Sequence, residues 1–317
     1  MLPLPDLPIA GQIALLLVAM VFLWKGADWF VDGAVHVAHH FKLPDLLIGL
    51  TLVGFGTSAP EFAVSIGAAL AGKSDMSVGN VAGSNAFNLG LILGICCVIR
   101  AIPTTKKLVY RDGLVLCVSA LFITIFMMDR QLSRIEGGLL FVALLTYILV
   151  LFLRRDAPEA LEDHQSFTWL DIPRILVGLS MIVFGAEFLV HSASGLARVA
   201  GLSEWAIAVT IVAAGTSAPE LVTSVNATLK GRAGITVGNL IGSDLFNMLG
   251  VLGLAALISP LTIASTAVPG IWMLAANVLL VFVLMRTGWQ ITRLQGILLI
   301  LVNLLRWYID IQGSAIS

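Results

Sequence analysis

From residue 9 to residue 311 the chain consists almost entirely of apolar runs of about twenty residues, each long enough to cross a ~30 Å hydrocarbon layer as a helix. In lipid, every backbone N–H and C=O must be satisfied from within, and a helix does this inside a single segment. Composition agrees. Of 317 residues 58% are hydrophobic and 12% charged, with a mean hydropathy of +0.99; that charged fraction is about half that of an ordinary soluble domain. The expected class is an all-α polytopic membrane protein.

Ten spans are predicted, at 9–38, 44–72, 76–100, 107–128, 134–153, 171–199, 203–230, 234–259, 267–286 and 292–311. One connection is longer and more polar, "RRDAPEALEDHQSFTWLDIP". It suggests a first five-helix repeat over 1–153, a cytoplasmic link over 154–170 and a second repeat over 171–317. With that link in the cytoplasm, twelve loop Lys and Arg fall on its side and five on the other, which puts both termini outside. The N-terminus has no basic stretch or small-residue cleavage site, so no removable signal peptide is expected. Net charge is −1, which gives no field for nucleic acid. Cys96, Cys97 and Cys117 lie in apolar segments without ligand spacing and read as packing.

The two halves are related by a fixed offset of 159 residues. It carries "GTSAPE" (56–61) onto an identical "GTSAPE" (215–220), and "GSNAFN" (83–88) onto "GSDLFN" (242–247). Between Thr51 and Gly94, 21 of 44 positions are identical to those 159 later, without a gap. Unrelated apolar segments share Leu and Val freely, but not Gly, Thr, Ser, Pro, Glu and Asn in one register. Five spans per half is an odd number, so the second half enters the membrane from the opposite face. The expected architecture is two inverted five-helix repeats with broken helices at the centre, which places a substrate near mid-depth and supports alternating access.

Pro60 and Pro219 lack an N–H, which frees the carbonyls of Gly56 and Gly215 and interrupts both helices. Thr57 and Ser58 can supply oxygens there or cap the half-helix that restarts. The positive end of that half-helix suits an ionised Glu61. Ser84 and Asn88 are four apart and share a helix face, as do Ser243 and Asn247. If the four motif helices pack about one pseudo-twofold axis, two carboxylates, two amide carbonyls and several hydroxyls converge. Such hard oxygens suit Ca²⁺, Na⁺ and related ions and are poor ligands for soft metals. Neither motif carries a Lys or Arg, so a bound cation is the simplest compensation for Glu61 and Glu220. Asn88 and Asn247 are also of the type that holds helices together in a membrane. Asp244, whose mate is Asn85, lies ~60° around its helix from Asn247 and can lean toward the same place. Asp28 is expected to pair with Lys25, and the five His to be interfacial. No Ser–His or His-x-x-x-His spacing in the spans suggests an enzyme.

These paired motifs resemble the α-repeats of the cation/calcium exchanger superfamily, in particular the prokaryotic sodium/calcium exchangers. The resemblance implies Ca²⁺ extrusion against inward Na⁺ by alternating access, usually with three Na⁺ per Ca²⁺. A proton-coupled or potassium-dependent Ca²⁺ antiporter is the alternative. Carried over by residue, it implies acidic ligands Glu61 and Glu220, with oxygens from Thr57, Ser58, Thr216, Ser217 and the backbone at Gly54 and Ala213. Ser84 with Asn88 and Ser243 with Asn247 complete the implied set. The first and sixth spans would be long gating helices. Some relatives carry Asp at the position of Asn247; here both motifs end in Asn, which argues against K⁺ co-transport. The resemblance also implies a multi-pass protein of a prokaryotic inner membrane; a monomer is the working expectation.

Overall fold

The computed structural model describes residues 7–154, 168–200 and 213–314. The middle link therefore lies largely outside the described residues, as does the start of the seventh predicted span. Among the described residues the chain forms ten helical stretches at the predicted places. They are α1 (Ile9–His40), the bent pair α2 (Asp45–Thr57) and α3 (Ala59–Leu70), α4 (Ser74–Ile99), α5 (Leu108–Asp129) and α6 (Arg134–Leu153). The second half repeats the order with α7 (Asp171–Val199), α8 (Ala213–Thr216) and α9 (Ala218–Leu229), α10 (Ala233–Ile258), α11 (Val268–Arg286) and α12 (Arg293–Ser314). Seven of these helices are individually long and apolar enough to cross a membrane, and eight crossings result if α2 and α3 count as one.

Two small ladders show how the halves sit. β1 (Ile102–Pro103) pairs antiparallel with β4 (Gln290–Ile291), and β2 (Gln131–Leu132) with β3 (Leu261–Thr262). β1 and β2 flank α5, a single span, so they lie on opposite faces of the membrane. The offset of 159 carries Ile102 to Leu261 and Leu132 to Ile291, so the register Ile102↔Ile291 maps onto Leu261↔Leu132. Each ladder is the pseudo-twofold image of the other. β1 follows α4 and β3 follows α10; since they occupy opposite faces, α4 and α10 run in opposite directions. The repeats are inverted.

Burial separates a core from a sleeve. In α10, 83% of the most apolar window is buried and in α4 67%, against 17% in α1. The helices carrying "GSNAFN" and "GSDLFN" therefore form the centre. α1 and α7, of 32 and 29 residues, would span ~48 and ~44 Å, more than the hydrocarbon thickness, so they cross at a tilt. They pack on each other at Gly26 and Gly178, where a Cβ on either would fall 2.8 Å from the other's carbonyl oxygen. A second close approach positions the site. A Cβ on Gly49 of α2 would lie 2.9 Å from the Gly238 Cα of α10, and one on Gly242 would lie 2.8 Å from the Leu50 carbonyl oxygen. Absence of side chains there lets the two backbones touch, which brings Thr57 within reach of α10.

Both core helices contain a π-helical turn at matching places, Phe87–Ile92 and Phe246–Val251. A π turn re-aims the side chains around it. It begins one residue before Asn88 and Asn247, in the helices that carry Ser84 and Ser243.

Candidate functional site

The break between α2 and α3 has its cause in the sequence. Pro60 takes the second position of α3, Ser58 leaves helical geometry at φ −79°, ψ 3°, and the two pieces meet at 50°. Ser58 is the N-cap residue but makes no cap hydrogen bond. Instead its hydroxyl crosses to the other repeat and donates to Glu220 Oε1 at 3.1 Å. The matching Ser217 hydroxyl donates to Glu61 Oε1 at 3.4 Å. Each carboxylate is thus held by the serine of the opposite motif, and the two breaks are interlocked across the axis. Of the two uses open to Ser58, capping and supplying oxygen, the structure shows a hydroxyl turned to a carboxylate.

Some of the remaining predicted residues stand beside this pair, and others are placed elsewhere. Ser84 stands beside the Glu61 side chain with Ser217, and Thr57 and Ser243 stand beside that of Glu220 with Ser58. Thr57 Oγ1 lies 3.0 Å from Asn239 Oδ1, 3.1 Å from the Val53 carbonyl oxygen and 3.3 Å from Ser243 Oγ. The Gly54 carbonyl accepts from Ser58 N at 3.2 Å and from Ser243 Oγ at 3.2 Å, so both of its lone pairs are engaged. Thr216 ends α8 and is half-buried; Ala213 begins it. Asn88 Nδ2 donates to Asp244 Oδ1 and Asn247 Nδ2 to Asn85 Oδ1, both at 3.0 Å.

Thr57, Ser58, Glu61, Asn88, Ser217, Glu220, Ser243, Asp244 and Asn247 are all fully buried, with Ser84 at 4% exposure. Five of their oxygens have no hydrogen-bond partner: Glu61 Oε2, Glu220 Oε2, Asn88 Oδ1, Asn247 Oδ1 and Asp244 Oδ2. Four of these are two pseudo-symmetric pairs. The charges of Glu61 and Glu220 act on each other, as do those of Glu220 and Asp244. None of the ion pairs formed among the described residues reaches these acids. A buried carboxylate left uncompensated costs several kcal/mol, and a cation coordinated by the free oxygens removes that cost. No group of three or more His, Cys, Asp or Glu among the described residues is placed to hold a metal. Any cation here would therefore be shared by carboxylates, neutral amides and hydroxyls, the donor set of a hard ion.

Residues 11–153 and 172–309, each covering most of one half, match the family model described as "Sodium/calcium exchanger protein". The chain belongs to the sodium/calcium exchanger family. Sodium/calcium exchanger MaX1 of Methanosarcina acetivorans is 32% identical over 339 residues, covering 92% of this chain and 96% of its own. Inner membrane protein YrbG of Escherichia coli is 36% identical over 260 residues, covering 78% and 80%. Among solved structures, the sodium-calcium exchanger NCX_Mj soaked with zero Na⁺ and Ca²⁺ superposes with a TM-score of 0.84 at 28% identity, covering 94% of this chain and 98% of that one. The same exchanger soaked with 2.5 mM Na⁺ and 10 mM Sr²⁺ also gives a TM-score of 0.84. The chain is accordingly a multi-pass cation/Ca²⁺ exchanger of this family and not an enzyme.

Some contacts of this exchanger depart from the sequence reading. Asp28 pairs with Lys230 at 2.6 Å, not with Lys25, because α1 lies against the end of α9 and Lys230 reaches both Asp28 and Asp32. His36, expected at the interface, is buried and bonded to Asp171 Oδ1 at 2.7 Å, which joins α1 to the start of α7. Cys96 and Cys97 are buried and Cys117 half-buried, and all three are free. Two buried residues close to the site, Asn85 and Asn239, are absent from the expected ligand set although both stand inside the repeated motifs. The signal was there: Asn80 and Asn239 are identical mates, and each donates to an identical Ser mate, Ser65 at 2.9 Å and Ser224 at 2.8 Å.

Proposed function

We propose that this chain exchanges Na⁺ for Ca²⁺ by alternating access, with the cations held at mid-depth by Glu61 and Glu220. The supporting observation is the pair of fully buried carboxylates, each steadied by a serine of the opposite repeat and each left with an unpartnered oxygen. We assign Thr57, Ser58, Ser84, Thr216, Ser217 and Ser243 as the hydroxyl ligands, with Asn88 and Asn247 adding amide oxygens. The backbones at Gly54 and Ala213 complete the set; Gly54 joins it when an ion displaces the Ser243 hydroxyl from its carbonyl.

Coupling follows from charge. One Ca²⁺, or two or more Na⁺, neutralise the two glutamates, and the ions compete for the same oxygens, so loading one expels the other. An empty site would carry uncompensated anions through an apolar barrier, at a cost of several kcal/mol for each. Only loaded states therefore rearrange, and exchange is obligatory. α1 and α7, joined along their length and pressed on the first break where Phe30 and Leu179 approach Gly56, are the elements that slide past the core. The first and second repeats act as 1–153 and 171–317 about the 154–170 link. The protein works as a monomer in a prokaryotic inner membrane with both termini outside; the surplus of Lys and Arg on the link side supports that orientation.

The test is ⁴⁵Ca²⁺ uptake into proteoliposomes with Na⁺, K⁺ and H⁺ gradients imposed separately. The Na⁺ gradient alone should drive uptake. Uptake driven by a proton gradient without Na⁺, or requiring K⁺, overturns Na⁺ as the sole coupling ion. Exchange that survives in Glu61→Gln and Glu220→Gln at the wild-type rate overturns the site.

A further inference from the structure

Asn85 and Asp244 are mates under the offset of 159 and touch each other at the pseudo-twofold axis. The Asn85 amide Nδ2 donates to the backbone oxygen of Asp244 at 3.2 Å. A carbonyl only accepts, so this bond fixes which end of the Asn85 amide is nitrogen. Its Oδ1 must then face the other way, where it receives Asn247 Nδ2 at 3.0 Å. That contact in turn fixes Asn247, whose own Oδ1 is left buried and without a partner. On the other side Asp244 Oδ1 receives Asn88 Nδ2 at 3.0 Å, and Asn88 Oδ1 is likewise left buried and without a partner. Two residues on the axis thus settle the orientation of both motif-ending amides, each acting on the amide of the opposite repeat.

The mates are not equivalent. Asn85 holds its amide with a neutral oxygen, whereas Asp244 holds its amide with a carboxylate, a shorter and stronger class of bond. Asp244 is fully buried and its Oδ2 has no partner. Neither motif ends in Asp, yet this carboxylate stands one turn earlier on α10 and brings a further negative charge to the same centre.

We propose that Asn85 and Asp244 are positioning residues of the cation site. They turn the carbonyl oxygens of Asn88 and Asn247 toward the ions, and Asp244 adds a third negative charge to those of the two glutamates. This rests on the cation-exchange reading above. The charge has a signature that packing lacks. Coulomb energy scales with ionic charge, so removing one fixed charge that raises the Na⁺ dissociation constant by a factor f raises the Ca²⁺ constant by about f².

The experiment measures ⁴⁵Ca²⁺ and ²²Na⁺ binding to purified full-length protein in detergent for wild type, Asp244→Asn, Asp244→Ala and the swap Asn85→Asp with Asp244→Asn. Asp244→Asn keeps an oxygen for Asn88 Nδ2 and loses only charge, so Ca²⁺ binding should weaken by about the square of the Na⁺ loss. Asp244→Ala also frees the Asn88 amide to turn and should bind Ca²⁺ more weakly still. The swap moves the charge to the mate and should recover most of the lost Ca²⁺ affinity. Wild-type binding in Asp244→Asn, equal losses for both ions, equality of the Ala and Asn variants, or a swap no better than the single variant each overturns the proposal. Absence of Ca²⁺ binding by the wild type would instead overturn the exchange reading.

Discussion

Replacing Glu220 by Gln separates charge from shape. The Gln Oε1 still accepts from Ser58, which stands 3.1 Å from the native oxygen, and its amide replaces an Oε2 that has no partner. What disappears is one of the charges that Glu61, Glu220 and Asp244 set against each other in a fully buried centre. At an effective dielectric of ~20 and separations of ~4–8 Å, each like-charge pair costs roughly 2–4 kcal/mol. Without ions the variant should therefore melt higher than wild type. With Ca²⁺ the sign reverses, because the same geometry gives roughly 4–8 kcal/mol of attraction between one carboxylate and a divalent ion. Even half the smaller value weakens binding about 30-fold. Wild type held at 100 times its dissociation constant gains about 2.7 kcal/mol of stability from Ca²⁺; the variant at that concentration should gain much less. Thermal melts in detergent, in chelator and in Ca²⁺, read both effects. A Glu220→Gln protein that melts lower than wild type in chelator yet keeps the full Ca²⁺ shift would refute the picture of an uncompensated carboxylate awaiting a cation.

Ser58→Ala should remove a hydrogen bond to a charged group, roughly 1.5–3 kcal/mol, and weaken Ca²⁺ binding by about tenfold or more, with Ser217→Ala acting likewise by symmetry; ⁴⁵Ca²⁺ binding measures both. Pro60→Ala returns an N–H to the Gly56 carbonyl and should straighten the 50° bend, so that ⁴⁵Ca²⁺ uptake is lost while the protein still purifies as a folded species. Gly238→Ala would drive a methyl to 2.7 Å from the Leu46 carbonyl oxygen and 2.8 Å from the Gly49 Cα, and should destabilise the protein by roughly 1–3 kcal/mol in thermal melts. In a background without native Cys, Lys106→Cys and Thr287→Cys should label from one face of sealed vesicles and Gln131→Cys from the other, as the two ladders require.

Much of this architecture was legible in the residue order because its causes are local. A proline removes a donor wherever it stands, so the breaks after Ser58 and Ser217 were readable from "GTSAPE" alone. Twenty apolar residues form a spanning helix because lipid offers the backbone no other partner, and five spans per repeat force inversion by parity. The presence of Glu61 and Glu220 in two apolar segments already demanded a compensating partner. Which atoms meet across the axis was a different matter. Ser84 and Asn88 share a face by spacing alone, but that spacing does not say that the Asn88 amide meets the Asp244 carboxylate of the other repeat. Ser58 looks like an ordinary cap residue until the second repeat brings Glu220 within 3.1 Å of its hydroxyl. Asp28 had a basic neighbour three residues away, yet Lys230, some two hundred residues later, is the one that reaches it. Spacing along a helix describes a single element, whereas these contacts are made between elements, and the close backbone approach at Gly49 and Gly238 decides which oxygens face each other.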